Sequence, residues 1–293
     1  MSGSIIAVLP YYAGLRLDFW NVPLEDLEYP LGRPSHLFGK NKSIKHLSKT
    51  DHLIVYPRRK YFTFLKRFCK AQISLMIVEP DSIHQKYFHW TKRAPDRFFT
   101  VLTKNKDMLA THPRAKKLVF GTTFIDDPST IDISKSKRCS IVSSAKQSLP
   151  GHKMRHRIVD QIRQLKLDVD ILGRGYKPFD KKEEGIAPYE FSVVIENSRE
   201  IGYFSEKLVD CFLCGTVPIY CGALDIEDYF DTRGMIVCET EEDIVKALND
   251  LDGFNLKEKG SIIAANRDKA FHYADLSGRA AKVVQAAIKD EAS

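Results

Sequence analysis

Short β-rich apolar runs alternate with amphipathic stretches along most of the chain, the pattern of parallel strands joined by helices. The first half predicts strands at Ile5 to Leu9, Leu53 to Tyr56, Ile73 to Val78, Phe98 to Leu102 and Leu118 to Phe120. Helices fit about Lys60 to Cys69 and Asn105 to Ala110. A polar stretch containing Pro128, from Phe124 to Lys137, breaks the alternation. It restarts with strands at Ser140 to Ser143, Val169 to Leu172, Phe191 to Ile195 and Met235 to Cys238, and helices from about His152 to Leu165 and from Glu241 to Leu251, the latter capped by Thr240. Two such βα halves predict an α/β protein of two doubly wound domains, residues 1–130 and 138–275. A last helical stretch within 276–293, around Ser277 to Lys289, is able to pack back on either.

The block YEFSVVIENSREIGYFSEKLVDCFLCGTVPIYCG, Tyr189 to Gly222, carries the clearest chemistry. Its apolar strand ends in Glu196, Asn197 and Ser198, and open α/β sheets bind ligands beyond the carboxyl ends of their strands. Ser205 then caps a helix whose first turn carries Glu206 and Lys207, and Gly215 stops it after an apolar run from Leu208 to Cys214. A helix N-terminus beside a lysine suits a phosphate.

Composition narrows the class. At 293 residues and 43% hydrophobic the chain can bury one large core or two moderate ones. Lys+Arg 45 against Asp+Glu 38 leaves a net charge of +7, spread along the chain, which suits an anionic small molecule and permits weak attraction to an acidic membrane surface. No apolar run is long enough to span a membrane, and MSGSIIAVLPYY lacks the basic n-region of a signal peptide, so a cytoplasmic protein is expected. Aromatics are not interleaved with a basic stripe, which disfavours nucleic acid as a partner. The six cysteines sit mostly in apolar patterns and read as reduced, buried thiols; Cys211 and Cys214 form a C-x-x-C with no second ligand pair for zinc.

Other motifs are weaker taken singly. There is no G-x-x-x-x-G-K-[ST], and Gly173-Arg174-Gly175 lacks the third glycine of a dinucleotide fingerprint. Asp168-Val169-Asp170 has D-x-D spacing but begins a strand, whereas hard metals take ligands from the loop at a strand's far end. In PGHKMRHRIVDQI, Arg155 falls near the start of a helix, where a guanidinium can fork onto phosphate; by periodicity alone it is equally a solvated residue, as Lys153, Arg157 and Arg163 are read to be. Glu79 ends the apolar run ISLMIV before Pro80. A carboxylate there suits a general base, or is merely the first exposed residue of a loop.

Together these segments resemble glycosyltransferase family 10, the α-1,3/4-fucosyltransferases, in which E-N-S follows a strand and [TS]-E-K-L opens the next helix. IVSSAKQSLPGHKMRHRIVDQI, VDILGRG and LDIEDYFDTRGMIV are similar to the family's flanking segments. The likeness covers about Cys139 to Cys238, with Ile73 to Phe124 more loosely similar. It implies a GT-B type enzyme, two Rossmann-like doubly wound domains facing a cleft, that inverts the anomeric centre, uses GDP-β-L-fucose as donor and a glycan hydroxyl as acceptor, and needs no cofactor and no catalytic metal. Carried over by position, Arg155 and Lys207 would grip the diphosphate, Asn197 and Glu206 would bind ribose or sugar hydroxyls, Tyr203 would line the same pocket, and Glu79 would be the general base. Ser205 stands where threonine is commoner, and the acceptor stays open. Another GDP-sugar as donor, or a carbohydrate- or polyanion-binding protein without turnover, are the alternatives.

Overall fold

The computed structural model describes residues 4–34, 41–63 and 69–292. The chain forms two compact units, Met1–Val119 with Leu276–Ser293, and Phe120–Asp275, each built around a five-stranded parallel sheet.

In the first unit β1 (Ile6–Val8), β2 (His52–Val55), β3 (Gln72–Ile77), β4 (Val101–Thr103) and β5 (Ala115–Lys117) lie side by side in chain order. Parallel neighbours need crossovers. Those after β2, β3 and β4 carry α1 (Arg59–Thr63), α2 (Asp81–Arg93) and α3 (Lys106–Thr111). Leu53, Val55, Leu75, Ile77 and Val101 are fully buried, with Phe19, Tyr61 and Phe98 from the connections in the same core.

The first unit departs from expectation in three places. The last strand is the charged Ala115–Lys117, not Leu118 to Phe120, because an edge strand tolerates lysines while the apolar residues after it are buried without joining the ladder. α2 was not anticipated, although His84, Tyr87, Phe88 and Thr91 recur at helical spacing on its buried face. The sheet runs in chain order without a reversal, so the doubly wound strand order expected of both halves does not extend to this one. Of the helix expected from Lys60 to Cys69, Arg59–Thr63 is helical, and residues 64–68 lie outside the described residues.

The second unit holds β6 (Lys137–Val142), β7 (Asp170–Leu172), β8 (Tyr189–Ile195), β9 (Val217–Cys221) and β10 (Ile236–Val237) in the order β10-β9-β8-β6-β7, all parallel. β8 and β9 are almost wholly buried, as their near-continuous apolar runs require in a sheet covered on both faces. α4 (Pro150–Leu165), α5 (Glu206–Leu213) and α6 (Glu241–Asn249) match the predicted helices to within a few residues. α7 (Gly260–Ala274) was not predicted: only Asn266 and Ala270 are buried on it, too few to mark a period. The polar stretch after Phe124 is fastened to this unit, since Lys135 Nζ donates to Ala187 O, Cys214 O and Thr216 Oγ1 at 2.9, 2.8 and 2.9 Å. The final helix, α8 (Leu276–Ala292), packs against β1 of the first unit.

Candidate functional site

The order of the second sheet reverses between β6 and β8. These strands are hydrogen-bonded neighbours, yet the chain leaves one edgeward through β7 and the other through β9. Connections diverging from such a switch point leave a crevice at the strands' carboxyl ends. A pocket of about 810 Å³ occupies it, lined by Val142 to Lys146 after β6, Gly173 and Arg174 after β7, Ile195 and Asn197 at the end of β8, and the opening turns of α4 and α5.

Close backbone approach shapes the pocket. A Cβ on Gly151 would stand 1.8 Å from Glu196 O, so only glycine lets the start of α4 press against the end of β8. Gly173, at φ +114°, turns the chain where a Cβ would meet Ser143 O at 2.0 Å. On α4, Arg155 shares the buried face with Ile158, Val159 and Ile162, which resolves its ambiguity: it is 5% exposed. Lys153, Arg157 and Arg163 are exposed, and Arg157 pairs with Glu241.

The E-N-S triplet divides three tasks. Asn197 Oδ1 accepts from Arg155 Nη2 at 2.6 Å. Glu196, 2% exposed, accepts from Ser205 N and Ser205 Oγ at 2.7 and 2.6 Å and lies 3.6 Å from Lys207 Nζ. Ser198 Oγ donates to Glu200. Lys207 Nζ also donates to Ser205 Oγ at 2.9 Å and Glu206 Oε1 at 3.0 Å. Burial works against charge on Lys207, but Glu196 and Glu206 outweigh it and raise its pKa. Burial likewise opposes an ionised Glu206, and Lys207 and Lys182 prevail, holding its carboxyl below the usual range. For Arg155 burial dominates and lowers its pKa against the pull of Glu196, Glu206 and Tyr203, though a guanidinium keeps its charge. Its Nε is buried without a partner, an unmet need for acceptors beside the pocket wall.

Arg155, Asn197, Glu206 and Lys207 are thus brought together in one pocket of the second unit. Tyr203 is not among its lining residues: it is 1% exposed and stacks on Phe120, with ring centroids 6.2 Å apart. Glu79 belongs to the first unit, half-buried just after β3 and near enough to Tyr56 to help raise that phenol's pKa, an effect led by burial. Asp170 opens β7 at the end of the strand away from the pocket, where it accepts from Tyr189 Oη at 2.6 Å.

Residues 133–253 match the profile of the glycosyltransferase family 10 (fucosyltransferase) C-terminal domain. That stretch of the second unit is therefore similar to the family 10 glycosyltransferase C-terminal domain. An alpha-(1,3)-fucosyltransferase of Helicobacter pylori is 31% identical over 55 residues, 19% of this chain and 12% of that protein's length. Among solved structures, an alpha1,3-fucosyltransferase with GDP-fucose aligns with a TM-score of 0.53 at 15% identity, covering 90% of this chain and 82% of the other. Anabaena HepE in complex with UDP-glucose aligns at 0.55 and 13%, covering 80% and 78%. These likenesses show the fold, α/β of GT-B type with parallel sheets.

In the second unit, sequence reasoning missed Gly151, Lys146 and Lys182, and it placed Glu196 in the ligand-facing triplet without giving it a role of its own. The signal for Glu196 was a carboxylate with no break after a wholly apolar strand; the lysines left none, because loop cations are ordinarily solvated.

Proposed function

We propose that the protein is an inverting glycosyltransferase that takes L-fucose from GDP-β-L-fucose and places it in α-linkage on a glycan hydroxyl without a metal. The observation that carries this is the convergence of Arg155, Lys207 and the N-terminus of α5 on the switch-point pocket, cationic and N–H donors where a diphosphate would lie. In this reading the acceptor oxygen attacks the anomeric carbon, the bond to the diphosphate breaks with its electron pair leaving on GDP, and the acceptor proton passes to Glu79. Arg155 and Lys207 offset the charge that develops on the departing diphosphate. Asn197 positions Arg155, and Glu206 is held ionised to accept from donor hydroxyls. Metal independence is supported by those cations and by Asp168 and Asp170 standing at the end of β7 away from the pocket.

The test is GDP release from GDP-fucose with a panel of glycan acceptors, with GDP-mannose as a second donor and with EDTA added. GDP-fucose is expected to be turned over in EDTA and to give an α-product by NMR. Arg155→Ala and Glu79→Gln should each lower kcat by at least about a hundredfold with the melting temperature preserved. Near-normal rates in either variant would remove that residue from the mechanism, and a requirement for divalent metal would remove the metal-free step.

A further inference from the structure

The pocket lining bears features that the diphosphate contacts leave unused. Its lining includes Phe124, which is 65% exposed, and Phe179, whose ring lies so close to Gly185 that a Cβ there would come within 2.8 Å of it. Phe124 is held in place by its backbone N–H, which donates to the buried Asp210 at 3.2 Å. Lys182 also lines the pocket, close enough to Glu206 to help keep it ionised, so the loop from Phe179 to Lys182 adjoins the carboxylate assigned to the ribose or sugar hydroxyls. Among the described residues, the acidic side chains lining the pocket are Glu206 and Asp180. Glu206 is engaged with Lys207. Asp180 is exposed, and among the described residues no hydrogen bond or ion pair reaches its carboxylate.

We propose that Asp180 reads the base of the donor nucleotide: its two oxygens accept the adjacent N1–H and N2–H donors of a guanine whose ring lies against Phe124 and Phe179. The choice of base follows from donor count. A carboxylate offers two acceptors side by side and no donor. Uracil and hypoxanthine present one N–H beside a carbonyl, and adenine presents an amine beside a bare ring nitrogen. Guanine alone of these presents two neighbouring donors, and pairing with an ionised acceptor makes both bonds stronger than neutral ones. The flat aromatics supply stacking that any base would satisfy, so discrimination falls to Asp180. The inference rests on the nucleotide-donor reading above and adds to it the residue that selects the nucleotide.

Calorimetric titration of the whole protein with GDP, inosine diphosphate and UDP tests it, since inosine diphosphate differs from GDP only in lacking the 2-amino group. The unaltered protein should bind GDP roughly tenfold or more tighter than inosine diphosphate. In Asp180→Ala the ratio should fall to about one, and because the side chain is exposed the melting temperature should not move. A preference for GDP over inosine diphosphate that persists in Asp180→Ala overturns this inference and leaves the GDP-sugar reading standing. So does a ratio near one in the unaltered protein when UDP is weak. Equal affinity of the unaltered protein for GDP and UDP overturns both.

Discussion

Asp210 lies on α5 one turn beyond Glu206, fully buried, and is the residue whose chemistry depends most on where the fold places it. Its Oδ1 accepts from Thr123 Oγ1 at 2.6 Å and from Phe124 N, while Oδ2 has no partner. Burial pushes its pKa up to about 7, with Glu206 adding to the rise and Lys182, Thr123 and Phe124 opposing it. Because the folded carboxyl holds its proton more tightly than an unfolded one near 3.8, Asp210 favours the folded state below about pH 4, and that contribution is lost as the pH rises through about 7. The loss is at most about 4 kcal/mol at 1.4 kcal/mol per unit. Asp210→Asn keeps an acceptor for Thr123 and removes the ionisation, so urea denaturation between pH 4 and 8 should show a shallower fall in stability than the unaltered protein; an identical slope would place the titration elsewhere. Sequence could not single this residue out. Within SEKLVDCFLCG an aspartate on a helix reads as solvated, and only packing against the 123–124 segment makes it a buried acid.

At the scale of elements the two best-capped helices of the second unit differ in what their caps do. Thr240 and Asp243 form an exposed capping box at α6, with reciprocal bonds of 3.1 and 2.9 Å. Ser205 caps α5 too, but its hydroxyl is also donated to the buried Glu196 and accepts from Lys207 Nζ. Thr240→Ala should therefore cost about 1 kcal/mol and leave GDP affinity unchanged. Ser205→Ala should cost roughly 2–3 kcal/mol, because it strips a donor from a buried carboxylate as well as a cap, and should weaken GDP binding by releasing Lys207. Chemical denaturation and GDP titration of both variants separate the cases; equal costs and equal affinities would reduce Ser205 to an ordinary cap. Both caps were legible in the sequence, since capping is local. The extra duty of Ser205 was not, because Glu196 is nine residues away and reaches it only across the end of the sheet.

Over the whole molecule, the chain leaves the first unit at Val119, builds the second, and returns to the first for α8. Leu276, Ala280, Ala281, Val284 and Ala287 are buried on that helix, Arg279 donates to Val119 O, and Glu291 meets Arg114. Removing residues 276–293 should thus expose β1 and lower protection from hydrogen exchange in β1 and β2 while β8 and β9 keep theirs; loss of protection in the second unit instead would contradict this division. No helix among the described residues is long and apolar enough to cross a membrane. The βα alternation, most strands, the caps and the E-N-S and S-E-K-L segments were already legible in the order of residues, because apolar period and capping act over a few residues. Long-range packing settles that the second sheet reverses between β6 and β8 while the first does not, that Arg155 turns inward to Asn197, that Tyr203 stands outside the pocket lining, and that α8 belongs with β1. Each of these is a choice of neighbour among segments far apart in the chain, made by which faces can be buried together rather than by any residue's own preference.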